Sequence, residues 1–211
     1  MEQNLPPATK LEYFDNMSKL HTTATLLSSF RVFHFGFFEN SGDGVSNLKL
    51  EKGAEVSLSV DEQRRMLNTR LHSAGHLLDV CIANIGWGHL KPTKGYHFPD
   101  GPFVEYQGTV SQNELQIKQK ELEAEANNLI SKGDKVSVST FPYEEARQLC
   151  GGSIPDYIPK GSTPRIVKFG ENPGCPCGGT HVSDVSEIKS LKVSQIRTKK
   201  GMTKVFYNIP F

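Results

Sequence analysis

The chain has 211 residues, and its 24 Lys and Arg against 23 Asp and Glu give a formal net charge of +1. This length can bury one core, or one core with a small appended module. No apolar run is long enough to cross a bilayer, and the amino terminus lacks the basic and then apolar layout of a secretory signal. We therefore expect a cytoplasmic protein with no membrane partner. The net charge decides neither for nor against nucleic acid.

Residues 1–60 predict a small β-rich module. The runs at 22–27 and 31–38 are rich in β-branched and aromatic residues, which are typical of strands. The segment 52–60 alternates apolar and polar residues, as a half-buried strand does. Glycine, asparagine and serine at 40–44 predict a turn.

Residues 61–211 predict a larger α+β domain that begins with a helix from Asp61 to about Ile85. Its apolar residues recur at helical spacing, and Asp61 can cap its first turn. We expect the following further elements: a loop at 86–95, two short strands within 96–106, a helix from Ser111 to Lys132, a strand at 135–141, a short helix at 142–150, a strand at 165–169 and a hairpin at 191–209. Helices interleaved with antiparallel strands predict an antiparallel sheet packed with helices.

Two residue pairs have the spacing of metal ligands. His72 and His76 are four residues apart, so on a helix both imidazoles can reach one ion. Cys177 and His181 repeat this spacing, and the glycines between them permit a tight turn. Three imidazoles and one thiolate suit Zn²⁺. The alternative is that the pairs are unrelated core or surface residues, and Cys175 is a second candidate for the sulfur ligand.

The histidine helix lacks the glutamate of a metalloprotease helix, because Ser73, Ala74 and Gly75 separate the two histidines. No general base therefore accompanies the pair. Four protein ligands would fill a tetrahedral zinc, which is the mark of a structural site. A structural role for the ion is thus a serious alternative to a functional one.

The sequence His-Ser-Ala-Gly-His-Leu-Leu at 72–78, followed at long range by Cys-Gly-Gly-Thr-His-Val at 177–182, resembles the editing domain of alanyl-tRNA synthetases. The same two motifs mark the free-standing alanyl-tRNA editing proteins (the AlaX family) and, more distantly, the editing domain of threonyl-tRNA synthetase. The resemblance covers roughly residues 60 to 209. Larger editing proteins carry a β-barrel with a glycine-rich loop before this region. The chain has no Gly-Gly-Gly-Gln run, so the module at 1–60 looks shortened.

The resemblance implies a trans-acting hydrolase that removes a wrong amino acid from alanine tRNA, most often serine, with glycine as a second candidate. It implies one Zn²⁺ held by His72, His76, Cys177 and His181, and the acceptor end of tRNA as partner. The backbone amides of Gly178 and Gly179 are candidates for holding the terminal ribose or the oxyanion. They could equally serve only to close the metal site.

Thr93 falls where the resemblance implies a threonine that recognises the serine hydroxyl, although it could simply be a turn residue. His97 and Glu105 could carry protons in the pocket, or could be solvated strand positions. Two other functions stay open: a zinc-stabilised tRNA-binding or synthetase-accessory module without activity, and a hydrolase of small esters. Basic residues that could contact tRNA phosphates are Arg64, Arg65, Arg70, Lys91, Lys94, Lys189, Lys192, Arg197, Lys199, Lys200 and Lys204.

Overall fold

The computed structural model describes most of the chain as two compact units, Met1–Leu67 and Asn68–Phe211. The backbone is described at residues 4–5, 9–12, 20–28, 31–38 and 57–210, and side chains are described from 60 to 210. No helix among the described residues is both long and apolar enough to cross a membrane. The functional division into a module at 1–60 and a domain at 61–211 stays a prediction.

The first unit contains an antiparallel five-stranded sheet. Its strands are β1 (Asn4–Leu5), β2 (Thr9–Glu12), β3 (Leu20–Ser28), β4 (Arg31–Phe38) and β5 (Ser57–Val60). The order is β1-β3-β2-β5, and β4 pairs with β3. The predicted strands at 22–27 and 31–38 are confirmed. The predicted turn at 40–44, and most of the strand predicted at 52–60, lie outside the described residues.

The central helix, α1, spans Glu62–Ile82. The backbone N–H of Arg64 donates to Oδ1 of Asp61 at 3.0 Å, which is the predicted cap. The helix loosens into a π-helical turn at Ala83–Trp87, in which Gly86 adopts a φ of 86°. The predicted helix therefore ends slightly early, because a left-handed backbone at Gly86 cannot continue it.

The remaining elements of the second unit follow in chain order. They are β6 (Lys91–Tyr96), β7 (Phe103–Gln107), α2 (Leu115–Lys132), β8 (Val136–Thr140), α3 (Tyr143–Leu149), β9 (Arg165–Phe169), β10 (Cys175–Pro176), β11 (Lys192–Lys199) and β12 (Met202–Asn208). The strands among them form two antiparallel sheets, with the orders β11-β12-β7-β6 and β10-β9-β8. The predicted α+β class with antiparallel sheets is confirmed.

Two predicted boundaries are wrong. The second half of the loop expected at 86–95 is strand β6, whose exposed residues give no apolar alternation because it lies at the edge of its sheet. The helix expected from Ser111 begins at Leu115. The N–H of Glu114 donates to the carbonyl of Ser111 at 3.1 Å, so this segment closes a tight turn before the helix starts.

Two buried tyrosines join α1 to the four-stranded sheet. Tyr106 of β7 donates its hydroxyl proton to Asp79 at 2.8 Å. Tyr207 of β12 donates to the carbonyl oxygen of Leu71 at 2.9 Å. Both tyrosines are 0% exposed. A phenol in the core finds a polar partner in this way while its ring adds apolar area, so the helix that carries the histidine pair is fixed against the sheet.

Candidate metal centre

The four predicted ligands come together, although the two pairs are about a hundred residues apart in the chain. The ligand atoms of His72, His76, Cys177 and His181 all lie within 4.8 Å of one another. Helix α1 supplies the two histidines. Strand β10 pairs with β9, and the N–H of Cys177 donates to the carbonyl of Arg165 at 3.1 Å, which extends this hairpin to the sulfur ligand.

The ligand loop is attached to α1 by residues that sit between and before the histidines. The backbone N–H of Val182 donates to the hydroxyl of Ser73 at 3.0 Å, and Ser73 donates to the carbonyl of Thr69 at 2.9 Å. The hydroxyls of Thr69 and Thr180 lie 2.9 Å apart. From the sequence, Ser73 is notable only because it stands where a metalloprotease helix has its glutamate. It is a buried connector, for which the pattern alone gave no signal.

The hydrogen bond of His72 fixes which nitrogen is free to bind a metal. Nδ1 lies 3.2 Å from the carbonyl oxygen of Thr180, which can only accept, so Nδ1 carries the proton. Nε2 then presents its lone pair to the cluster. Burial lowers the pKa of His72 to about 4, so the imidazole is neutral near pH 7, as a metal ligand must be.

His76 shows the same division between its two nitrogens. Its Nδ1 lies 3.3 Å from Sγ of Cys175 and 4.0 Å from Oδ2 of Asp79, on the side away from His72. Its Nε2 is 3.3 Å from Nε2 of His72. Burial holds the pKa of His76 well below its usual range. Cys175 therefore contacts the outer nitrogen of a candidate ligand, whereas Cys177 belongs to the four-residue cluster.

The chemistry of these donors fits a bound cation. Both ring nitrogens of His181 are buried without a hydrogen-bond partner, which is costly unless a metal takes one of them. Burial also lowers its pKa to about 3. Burial raises the pKa of the Cys177 thiol, while the Gly179 backbone and the Arg165 guanidinium act against that increase. A coordinated cation would supply the missing stabilisation of the thiolate.

The spacing of the donors also fits zinc. With Zn–N near 2.0 Å and Zn–S near 2.3 Å, tetrahedral geometry puts two nitrogens about 3.3 Å apart and a nitrogen and sulfur about 3.5 Å apart. The two Nε2 atoms of His72 and His76 are 3.3 Å apart. The sulfur of Cys177 is 3.4 Å from Nε2 of His72. These two of the six separations match the edges of such a tetrahedron, and all four ligand atoms lie within 4.8 Å of one another.

Comparison with known proteins identifies the domain that contains this site. The family described as the threonyl and alanyl tRNA synthetase second additional domain matches residues 165–204, which include Cys177 and His181. An alanine–tRNA ligase of Methanosarcina mazei is 30% identical over 163 residues, which are 75% of this chain and 17% of that protein. The alanine–tRNA ligase of Natranaerobius thermophilus is 30% identical over 150 residues, 71% of this chain and 16% of that protein. The chain carries an alanyl-tRNA editing domain.

A third relative, the alanine–tRNA ligase of Acetivibrio thermocellus, is 27% identical over 158 residues, 74% of this chain and 18% of that protein. The chain thus spans less than a fifth of the length of these relatives. The likeness supports a tRNA-related editing function for the editing domain.

The predicted glycines of the editing domain lie directly beside the candidate metal ligands. Gly178 is exposed and Gly179 is half-buried. A Cβ at Gly179 would stand 2.3 Å from Cε1 of His72, so the backbone approaches the imidazole more closely than any other residue would allow. This contact favours the closure of the metal site as the role of Gly179. The amide of Gly178 remains a candidate for binding substrate.

Of the three predicted pocket residues Thr93, His97 and Glu105, His97 is the one that the structure places against the cluster. Its ring centroid is 4.9 Å from that of His72, so His97 lies against the cluster. Thr93 is exposed on β6 and donates its hydroxyl proton to the carbonyl of Glu105 at 2.9 Å. The carboxylate of Glu105 pairs with Lys204 at 3.1 Å. Thr93 and Glu105 thus have partners within the sheet.

A bulge in β6 determines the position of Thr93. Pro92 pairs with Tyr106 and Lys94 pairs with Glu105, so Thr93 is the extra residue of β6 between two successive pairs. Such a bulge turns one side chain out of the regular alternation. The predicted serine-recognition role of Thr93 stays a prediction.

Proposed function

We propose that the editing domain hydrolyses the ester between a wrong amino acid and the terminal ribose of alanine tRNA. Serine is the proposed main substrate, with glycine as a second. The observation that carries this proposal is the convergence of His72, His76, Cys177 and His181 within 4.8 Å, in a chain whose residues 165–204 match the second additional domain of threonyl and alanyl tRNA synthetases. The acceptor end of a mischarged tRNA is the proposed partner.

The proposed reaction follows from the limits of amino-acid selection. The pocket that selects alanine before it is attached to tRNA discriminates against side chains of similar size by only a few kcal/mol. Serine and glycine are therefore attached to alanine tRNA at a finite rate. A second, hydrolytic site removes them. An aminoacyl ester is already reactive, so positioning of water and stabilisation of the oxyanion suffice without a protein nucleophile.

The proposed metal is one zinc ion held by the four cluster residues. When bound, it would supply a fixed positive charge beside the scissile ester. The chain adds a second positive charge next to this ion, because Nη1 of Arg165 donates to the carbonyl of Cys177 at 2.6 Å. This contact holds a guanidinium beside the cluster, where it favours an anionic oxygen. The exposed amide of Gly178 is the proposed donor to that oxygen or to the ribose.

A second candidate function is a tRNA-binding or synthetase-accessory module without activity. The observation that favours it is the number of protein ligands, since four fill a tetrahedral zinc and leave no open position. Under this alternative the ion would only hold the ligand loop against α1. The two functions differ in whether the ester is cleaved.

The test uses alanine tRNA charged with serine, with glycine and with alanine, incubated with the zinc-loaded chain. We expect release of serine and glycine but not of alanine. The variant His72→Ala should abolish release, whereas His89→Ala, an exposed histidine outside the cluster, should not change it. Binding of tRNA without release would favour the accessory module. Cleavage of small esters without any preference for tRNA would favour a small-ester hydrolase.

A further inference from the structure

The hydrogen bonds around His97 leave only one arrangement of its protons. Tyr207 gives its single hydroxyl proton to the carbonyl of Leu71 at 2.9 Å. Nδ1 of His97 lies 2.7 Å from the same hydroxyl oxygen, so Nδ1 must carry a proton and donate it to Tyr207. In the neutral imidazole Nε2 is then the acceptor.

Two glycines hold the ring and leave this acceptor accessible. A Cβ on Gly75 of α1 would stand 2.3 Å from Cε1 of His97, and a Cβ on Gly95 of β6 would stand 2.3 Å from Nε2. Any other residue at 95 would occupy the space in which a donor to Nε2 must lie. Among the residues whose side chains the structure describes, none donates a hydrogen bond to Nε2.

The charge around His97 favours a neutral donor. The ring lies 4.9 Å from that of His72, which belongs to the proposed zinc site, and the guanidinium of Arg165 donates to the carbonyl of Cys177 in the same site. An ammonium group would be repelled by a metal cation and a guanidinium together. A hydroxyl group carries a proton for Nε2 without adding positive charge.

We propose that Nε2 of His97 accepts a hydrogen bond from the side-chain hydroxyl of the seryl group, and that this contact makes the editing domain prefer serine to alanine. The inference rests on the proposed deacylase function and deepens it, because it assigns the residue that separates the wrong amino acid from the right one. Tyr207 is then a positioning residue, since it holds the tautomer that leaves Nε2 free.

His97 is better suited to this discrimination than Thr93. An acceptor rejects a substrate without a hydroxyl only if it is then left unpaired and shielded from water. Thr93 is exposed, so water can replace a lost contact there, and its own proton is already donated to Glu105. His97 is half-buried between two backbones, and its Nε2 opens to the space beside the exposed Gly95, which a bound aminoacyl group would fill and close to water. An alanyl group would leave its Nε2 without a donor.

The test measures binding, so that it does not depend on turnover. The probes are non-hydrolysable amides of serine and of alanine on 3′-amino-3′-deoxyadenosine, titrated calorimetrically into the zinc-loaded chain. An acceptor that the bound probe covers and leaves unpaired costs on the order of 1–3 kcal/mol, so we expect the wild-type chain to bind the seryl probe about 10- to 100-fold more tightly than the alanyl probe. In His97→Phe the two probes should bind alike.

Three further variants make the test specific. Gly95→Ala keeps the imidazole and blocks Nε2, so it should also lose the preference for the seryl probe. It replaces His97→Phe as the test variant if His97→Phe does not fold. His97→Gln retains an acceptor and should keep part of the preference. The matched control His89→Phe removes an exposed imidazole and should retain the full ratio.

The outcomes separate this inference from the proposed function. A wild-type chain that shows no preference for the seryl probe would overturn the inference, as would a preference that persists in both His97→Phe and Gly95→Ala. If His97→Phe weakened the binding of both probes by the same factor, the inference would also be overturned, because His97 would then act only in the fold. A ratio lost in Thr93→Val but kept in His97→Phe would give the role to Thr93. If the preference depends on His97 but seryl-tRNA is not cleaved, only the proposed deacylase function fails.

Discussion

The substitution Gly179→Ala tests the geometry of the metal centre without removing a ligand. The new Cβ would stand 2.3 Å from Cε1 and 2.5 Å from Nδ1 of His72. An ordinary carbon contact begins near 3.5 Å, so the ring or the loop must move by about 1 Å. His72 cannot move freely, because its Nδ1 donates to Thr180 and its Nε2 faces Cys177. Metal sites tolerate displacements of only about 0.5 Å.

We therefore expect Gly179→Ala to weaken zinc binding about 10- to 100-fold, in the range that loss of an outer contact to a zinc ligand usually costs. The measurement is a competition with a chromophoric zinc chelator, performed on the full chain. The matched control is Gly88→Ala, where a Cβ meets nothing within 4 Å and the φ of −59° suits alanine. If both variants bind zinc within about twofold of the wild-type chain, the close approach of Gly179 to His72 has no role in the site.

Three further predictions follow from the contacts of the same region. Cys175→Ala should lower zinc affinity about tenfold without changing the one-to-one stoichiometry, because it removes only the partner of His76 Nδ1. Competition titration with Cys175→Ser, which restores an acceptor, checks this. Tyr106→Phe should lower the free energy of unfolding by about 1–3 kcal/mol in urea titrations, because it leaves the half-buried Asp79 without its donor. In the zinc-free chain, the free energy of unfolding should fall as the pH drops from 6.5 towards about 4, because half-buried imidazoles such as His72 stay neutral in the folded chain while the unfolded chain takes up protons there.

The sign of the pH prediction depends on which buried groups dominate. The pKa of Asp79 is raised to about 7 by burial, so the folded chain keeps a proton there that the unfolded chain loses above 3.8. This single carboxyl opposes the trend. The depressed pKa values of His72, His76, His97 and His181 act in the other direction and outnumber it. Unfolding free energies that rise on acidification would show that these imidazoles are not buried neutral groups.

Controls for the other two predictions come from the same chain. Tyr96→Phe removes an exposed hydroxyl that donates to Asp100, and it should leave the free energy of unfolding unchanged where Tyr106→Phe lowers it. Cys81→Ala removes a buried cysteine outside the cluster and should not change zinc affinity. If Cys175→Ala bound zinc like Cys81→Ala, the contact between Cys175 and His76 would contribute nothing to affinity.

The cluster of four candidate ligands was predictable because local spacing brings the members of each pair together. His72 and His76 share a helix face by their separation alone, and Cys177 and His181 repeat that separation around two glycines. What the spacing does not contain is the connection between the pairs. That connection depends on the pairing of β9 with β10 and on the bond from Val182 to Ser73, which only the folded chain brings together.

The strand β6 and the orientation of His97 escaped prediction for a related reason. Exposed residues on an edge strand show no apolar alternation, so Lys91–Tyr96 resembled a loop. The bulge at Thr93 then shifts the alternation by one residue, so the face of each side chain after it cannot be counted from the strand sequence. The role of His97 depends on Tyr207, which lies 110 residues away.

The most direct test of the central claim is zinc K-edge X-ray absorption on the purified, zinc-loaded chain and on its Cys177→Ala variant. The wild-type spectrum should fit one ion with three nitrogens near 2.0 Å and one sulfur near 2.3 Å. The variant should lose the sulfur shell. A spectrum with two sulfurs, with none, or with a sulfur that persists in Cys177→Ala would contradict the assignment of His72, His76, Cys177 and His181 as the ligands of one ion.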